Sequence, residues 1–229
     1  MRITIFGAGA IGGHLGALLS AGGVDVTLVA RGAHLEAMRS DGLRLVTADA
    51  EVITRPRVTD DPSSLGPQDF VVLSLKPHQA PGVVDDLQPL LGPDTTVANA
   101  MNGVPWWYFY KLPGRFENRR VHSVDPSGRL WERVGPERAI GCITYVASEV
   151  IAPGVVSAGG QMRYQIGEPD GSVSPRCEAF KELVSGCGIE VEVSRAIRDD
   201  IWVKLMGNVA FNPVSALTLA HGQIGRAHV

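Results

Sequence analysis

Residues 2–22 read RITIFGAGAIGGHLGALLSAG. Positions 2–6 are apolar and β-rich, 7–12 spell GAGAIG, and 13–22 favour a helix. Strand, glycine turn and helix in that order open a dinucleotide-binding unit, and each glycine of G-x-G-x-x-G has a separate job. Gly7 permits the tight turn, Gly9 lets the backbone approach a pyrophosphate, and Gly12 lets the helix pack closely on its strand. The free N–H groups of the stretch Gly7, Ala8, Gly9, Ala10, Ile11 and Gly12 are therefore the predicted phosphate cradle. The same glycines, with Gly13 and Gly16, break up what would otherwise resemble the apolar core of a signal peptide behind Arg2.

The second strand bears on which dinucleotide is expected. Residues 24–29 (VDVTLV) end where an NAD enzyme sets an acid against the ribose 2′-hydroxyl, yet Ala30-Arg31-Gly32 follows. Asp25 lies at the start of that strand, at the wrong end of the sheet. A guanidinium at Arg31 suits a 2′-phosphate, which it can meet as a planar fork, and so points to NADP. The other reading of Arg31 is a solvated side chain opening a helix over 33–40.

Strand and helix signals alternate onward. β-leaning stretches occupy 43–47 and 51–58, 60–68 is turn-rich, and 69–75 (DFVVLSL) is a continuous apolar run. Such a run fits a strand buried on both faces of a parallel sheet. A helix near 79–91 and a strand at 95–99 follow, then strands at 139–148, 154–158 and 162–166. Pro153-Gly154 is a turn between two of these; a helix over 175–187 and a strand at 189–193 close the series. The pattern predicts an α/β fold, a doubly wound Rossmann sheet over 1–194.

Composition narrows the class. The 229 residues carry 21 basic and 24 acidic side chains, a net charge of −3 with both signs interspersed. No basic field exists to attract nucleic acid or an anionic membrane. Cys142, Cys177 and Cys187 are odd in number, the six histidines are scattered, and neither set has metal-ligand spacing. A soluble cytoplasmic enzyme without a metal is expected.

Ligands of open parallel sheets sit at the carboxyl ends of strands. Lys76 and Asn102 are placed there. Lys76 could meet a cofactor phosphate or ribose, or simply snorkel. Asn102 could serve a carboxamide or a substrate hydroxyl, or accept a left-handed turn before Gly103. Residues 194–213 (SRAIRDDIWVKLMGNVAFNP) form the other informative segment. Ser194 is a plausible N-cap, Asp199 and Asp200 suit a first helical turn, and Ile197, Ile201, Leu205 and Val209 make an apolar stripe. Lys204, Asn208 and Asn212 recur every four residues beside it, either lining a cleft or flanking a solvated helix in which Asn212 caps a next helix begun by Pro213.

Taken in order, GAGAIG (7–12), SLK (74–76), NGVPWWY (102–108), APGVV (152–156), IGEPDG (166–171) and IWVKLMGNVAFNPVSAL (201–217) resemble the ketopantoate reductase family across essentially the whole chain. The resemblance implies NADPH on the Rossmann domain, held at Gly7–Gly12, Arg31, Lys76 and Asn102. It implies that Lys204, on the first helix of an all-helical domain beginning at 195, is the general acid. Asn208 and Asn212, with Asn102, would hold a small 2-keto acid, namely 2-dehydropantoate, whose reduction to pantoate serves pantothenate biosynthesis. Oligomeric state is left open, a homodimer included. Other open readings are a related 2-hydroxyacid or opine-type dehydrogenase and a non-catalytic dinucleotide sensor.

The C-terminus departs from the family, whose members continue for several helices that supply a serine and a glutamate. Residues 224–229 (IGRAHV) fit no helix and match the translation of a common sequencing-adapter read, ATC GGA AGA GCA CAC GTC. The native sequence is expected to end near Gln223, with 195–229 only the first part of the helical domain. Such a chain is expected to show little keto-acid reduction and to associate through its uncovered stripe.

Overall fold

The structure is a computed structural model that describes residues 1–218. Elements run β1 (Ile3–Phe6), α1 (Ala10–Ala21), β2 (Val26–Val29), α2 (Gly32–Ser40), β3 (Leu43–Val46), β4 (Glu51–Thr54), β5 (Arg57–Thr59) and β6 (Phe70–Leu73). They continue with α3 (Val84–Leu87), β7 (Thr96–Asn99), β8 (Ala139–Ala152), β9 (Val155–Gly167), α4 (Pro175–Ser185), β10 (Glu190–Val193) and α5 (Ile197–Thr218). Among the described residues the strands form one sheet in the order β4-β3-β9-β8-β7-β6-β1-β2-β5, with β10 also paired to β9. From β8 to β5 all neighbours are parallel; β8–β9 and β3–β4 are antiparallel.

Four central strands, β1, β2, β6 and β7, are buried at every residue. Their apolar character follows from cover on both faces. One face packs Leu15, Leu35, Phe180 and Val184 from α1, α2 and α4. The other packs Leu87, Trp106, Trp107, Leu130, Ile197 and Ile201. The expected doubly wound sheet is present, and α5 starts a helical region beyond it. The expected boundary at 194/195 falls in the turn between β10 and α5.

Several expected elements differ. The helix near 79–91 is three short pieces, a 3-10 turn at Pro77–Val83, α3, and a second 3-10 turn at Gln88–Leu90. Pro81 and Pro89 lack the N–H a continuous helix needs there. The stretch 51–58 splits at Arg55-Pro56, and its halves β4 and β5 lie at opposite edges of the sheet. The expected strands 154–158 and 162–166 are one strand, because β8 pairs along nearly all of β9. Gly154 turns that hairpin with φ +73°.

Of the stripe on α5, Ile197 and Ile201 are buried while Val209 is 66% exposed, so cover stops halfway along. Pro213 does not open a new helix; it lies inside α5. Residues 224–229 lie outside the described residues.

His14 gives the fold a pH dependence. It is fully buried on α1, with Nδ1 3.5 Å from the Tyr164 hydroxyl and Nε2 3.3 Å from Met162 Sδ. Burial disfavours the imidazolium and lowers its pKa from 6.5 to about 4. Between those values the unfolded chain binds a proton that the folded chain does not, so stability falls as pH falls through that window. The loss should approach roughly 3 kcal/mol at the acid end. Urea denaturation from pH 7 to 4 should show it, and His14→Gln should flatten the slope; an unchanged slope in that variant would assign it elsewhere.

Candidate active site and cofactor cleft

β1 ends at Phe6, and Gly7 turns away with φ +105°. The N–H groups of Gly7 and Ala8 both donate to the Val29 carbonyl, at 3.1 and 3.0 Å, which pins the loop between β1 and α1 to the end of β2. α1 then begins without a side-chain cap and without an acid in its first turn. The Gly13 N–H reaches the Gly9 carbonyl at 2.6 Å, so the N–H groups of Ala10, Ile11 and Gly12 precede the first helical bond. A Cβ on Gly12 would lie 2.1 Å from the Gly7 carbonyl oxygen, whereas one on Gly9 would meet nothing within 4 Å. The loop is packed tight on its strand side and bare on the other. Unpaired donors, a bare backbone and no local carboxylate fit a pyrophosphate.

Beyond the loop, Arg31 stands at the start of α2 with its side chain 69% exposed and Nη2 3.8 Å from Asp86 Oδ2. An exposed pair at that distance holds Arg31 only weakly. His34, which the sequence reading passed over, sits one turn along α2. The Gly154 N–H donates to its Nδ1 at 2.9 Å, so the ring proton is on Nε2, which donates to the Ala8 carbonyl at 2.8 Å. His34 thereby ties the glycine loop to the tip of the β8–β9 hairpin.

Three adjoining clefts trace one trough. The first is lined by Gly7, Ala8, Gly9, Arg31 and His34. The second shares Gly7 and Gly9 and adds Ala10, Ile11, Ser74, Lys76 and Asn102. The third shares Asn102 and adds Asn99, Trp107, Thr144, Lys204 and Asn208. Asn102 thus stands at a junction, in the loop after β7, and Gly103 beside it has φ +92°.

The reach of Lys204 into this trough depends on how α5 is seated. Gly141 of β8 and Gly167 of β9 are cross-strand partners. A Cβ on Gly141 would lie 2.5 Å from Ile197 Cγ1, and one on Gly167 would lie 2.9 Å from Ile197 Cβ. This bare pair lets the first residue of α5 rest directly on the sheet. Ser194 accepts from the Ala196 N–H at 2.9 Å and donates to the Asp200 carboxylate, fixing the turn into the helix. Arg198 donates to the Tyr108, Tyr110 and Pro169 carbonyls, which ties α5 to the loop carrying Asn102.

Lys204, two turns along α5, has its Nζ 4.8 Å from the centre of the Tyr145 ring. The same ring takes the Arg163 guanidinium at 4.6 Å. Partial burial of Lys204 disfavours its ammonium form and lowers its pKa. Asn208 joins the same cavity, while Asn212 is exposed and does not line it. Lys204, Asn208 and Asn102 are therefore brought together, and the glycine loop, Arg31 and Lys76 line the adjoining clefts. Asn99, Thr144 and Tyr145 escaped the sequence reading, because only the pairing of β7, β8 and β9 puts them opposite α5. Among the described residues no helix is long and apolar enough to cross a membrane.

The ketopantoate reductase PanE/ApbA family model matches residues 3–111. A 2-dehydropantoate 2-reductase of Mesorhizobium japonicum is 48% identical over 95% of this chain and 67% of its own length. One from Pyrococcus horikoshii is 30% identical over 95% of this chain and 64% of its own. A crystal structure described as that of a ketopantoate reductase from Ralstonia solanacearum MolK2 has a TM-score of 0.91 at 42% identity, covering 96% of this chain and 68% of that one. The chain spans about two thirds of the length of these relatives. With 48% identity held over 95% of its length, it belongs to the ketopantoate reductase family.

Proposed function

We propose that this chain carries the NADPH site and the general acid of a 2-keto acid reductase whose substrate is 2-dehydropantoate. The observation that carries the reading is the trough running from Arg31 through the glycine loop and Asn102 to Lys204 and Asn208. A reduced nicotinamide, when bound, supplies hydride to the keto carbon. Ala10, Ile11 and Gly12 offer their N–H groups to the pyrophosphate, Lys76 neutralises phosphate charge, and Arg31 forks onto the 2′-phosphate. Lys204 holds the proton that passes to the keto oxygen as charge develops there, and its lowered pKa brings it toward the working pH. Asn102 and Asn208 orient the substrate from the two walls of the cavity, whereas Asn212, one turn on, is exposed and takes no part in it. A cytoplasmic site of action belongs to the same reading.

Titrating 2-dehydropantoate and a panel of other 2-keto acids against NADPH oxidation tests the substrate. The protein used should also carry the C-terminal third found in the relatives; no oxidation with any of them would refute the reading. The cofactor has a separate test. Loss of a charge-assisted contact to phosphate costs about 1.5–3 kcal/mol, or about one to two decades in affinity. Arg31→Ala should weaken NADPH by that much in a tryptophan-fluorescence titration and leave NADH nearly unchanged. Equal loss for the two would remove Arg31 from the 2′-phosphate.

A further inference from the structure

We infer that Asn99 and Trp107 form a recognition pair for a hydroxyl group on the side chain of the keto acid, an assignment that rests on the reductase reading above. Asn99 is the polar last residue of β7, a strand buried at every position. Pleating puts it on the same face as Val97, which belongs to the cluster of Trp106, Trp107, Ile197 and Ile201, whereas Ala98 belongs to the opposite cluster. The residue is only 3% exposed, and its Oδ1 is buried without a hydrogen-bond partner. Trp107 is wholly buried, and its Nε1 also has no partner. Both residues line the cavity that holds Lys204 and Asn208.

A buried polar atom without a partner is costly, and a folded chain tolerates it where a ligand completes the bond. Here the pair comprises one acceptor, Asn99 Oδ1, and one donor, Trp107 Nε1–H. A hydroxyl is the simplest group that both donates and accepts, so it satisfies the two together. A methyl satisfies neither, and a carboxylate cannot donate to the amide oxygen. The substrate of the proposed reaction has such a group, a hydroxyl on its terminal carbon beyond the quaternary centre. The pair would therefore select 2-keto acids with a hydroxylated side chain over plain branched ones, the kind of discrimination that unpaired site groups impose on an analogue lacking the hydroxyl.

The test compares two acids that differ in that group alone, pantoate and 2-hydroxy-3,3-dimethylbutanoate. Each is titrated calorimetrically into the NADP⁺-loaded protein that also carries the C-terminal third found in the relatives, as wild type, Asn99→Leu and Trp107→Phe. The wild type should prefer pantoate by about 10- to 100-fold. Asn99→Leu should bring that ratio to within about threefold of unity, and Trp107→Phe, which removes the N–H but keeps an aromatic ring, should move it the same way. Unchanged ratios in both variants would overturn the assignment and leave a fixed water on the pair. Equal weakening of both acids would overturn it too, by placing the amide against the carboxylate end. A wild type that binds neither acid would bring down the reductase reading and this inference with it.

Discussion

Lys204→Ala should lower the turnover of 2-dehydropantoate reduction about 10²- to 10⁴-fold, the usual contribution of a positioned general acid. NADPH affinity should stay within about threefold of wild type, because Lys204 lines only the cavity beyond Asn102 and not the clefts around the glycine loop. The measurement belongs in a form that also carries the C-terminal third present in the relatives, with NADPH affinity measured in parallel by fluorescence. The wild-type rate should fall at alkaline pH as Lys204 loses its proton. That limb should lie below the ordinary lysine range, since burial disfavours the ammonium. Lys204→Arg, a donor that stays protonated, should flatten the limb while remaining slow through its different shape. Full turnover in Lys204→Ala would reduce α5 to scaffolding and assign the proton donor to another group.

What was legible in the sequence was local. GAGAIG, its flanking strand and its helix fall within residues 2–22, and short-range chemistry suffices to read them. The row Lys204, Asn208, Asn212 was legible as a helical face, and the structure puts its first two members in one cavity while the third stands outside. Features that depend on long-range pairing were not legible. Nothing in residues 51–58 says that their two halves belong to opposite edges of a sheet. Gly141 and Gly167 look like ordinary strand glycines until their register places them together beneath Ile197. Asn99 reads as the end of an apolar strand, and Tyr145 as one more aromatic in a β-rich run. His34 reads as a helix residue until the hairpin tip arrives to donate to it from 120 positions away.

Glu168→Gln should weaken the fold strongly. Glu168 follows Gly167 at the end of β9, and its side chain is almost wholly buried. Its Oε1 accepts from Ser174 Oγ at 2.5 Å and Arg176 Nε at 2.6 Å, and its Oε2 from Arg176 Nη2 at 2.6 Å. Arg176 also donates to the Glu137 carbonyl at 2.8 Å, so one pair joins β9, the N-terminus of α4 and the turn before β8. Neutralising one partner leaves the other charge uncompensated, which costs about 3–5 kcal/mol for a fully buried pair. Arg176 keeps 30% of its side chain in solvent, which brings the expected loss to roughly 2–4 kcal/mol. In a domain of this size that is a fall in Tm of about 4–16 °C. The double variant Glu168→Gln/Arg176→Met should recover part of the loss, because it removes the stranded charge as well as the pair. As a control, Glu192→Gln breaks the more exposed pair with Arg163 and should cost no more than about 1 kcal/mol. If Glu168→Gln cost as little as that control, the stability of this junction would reside in the packing of Ile197 on the glycine pair, and the ion pair would be incidental to how α5, and with it Lys204, is held over the cleft.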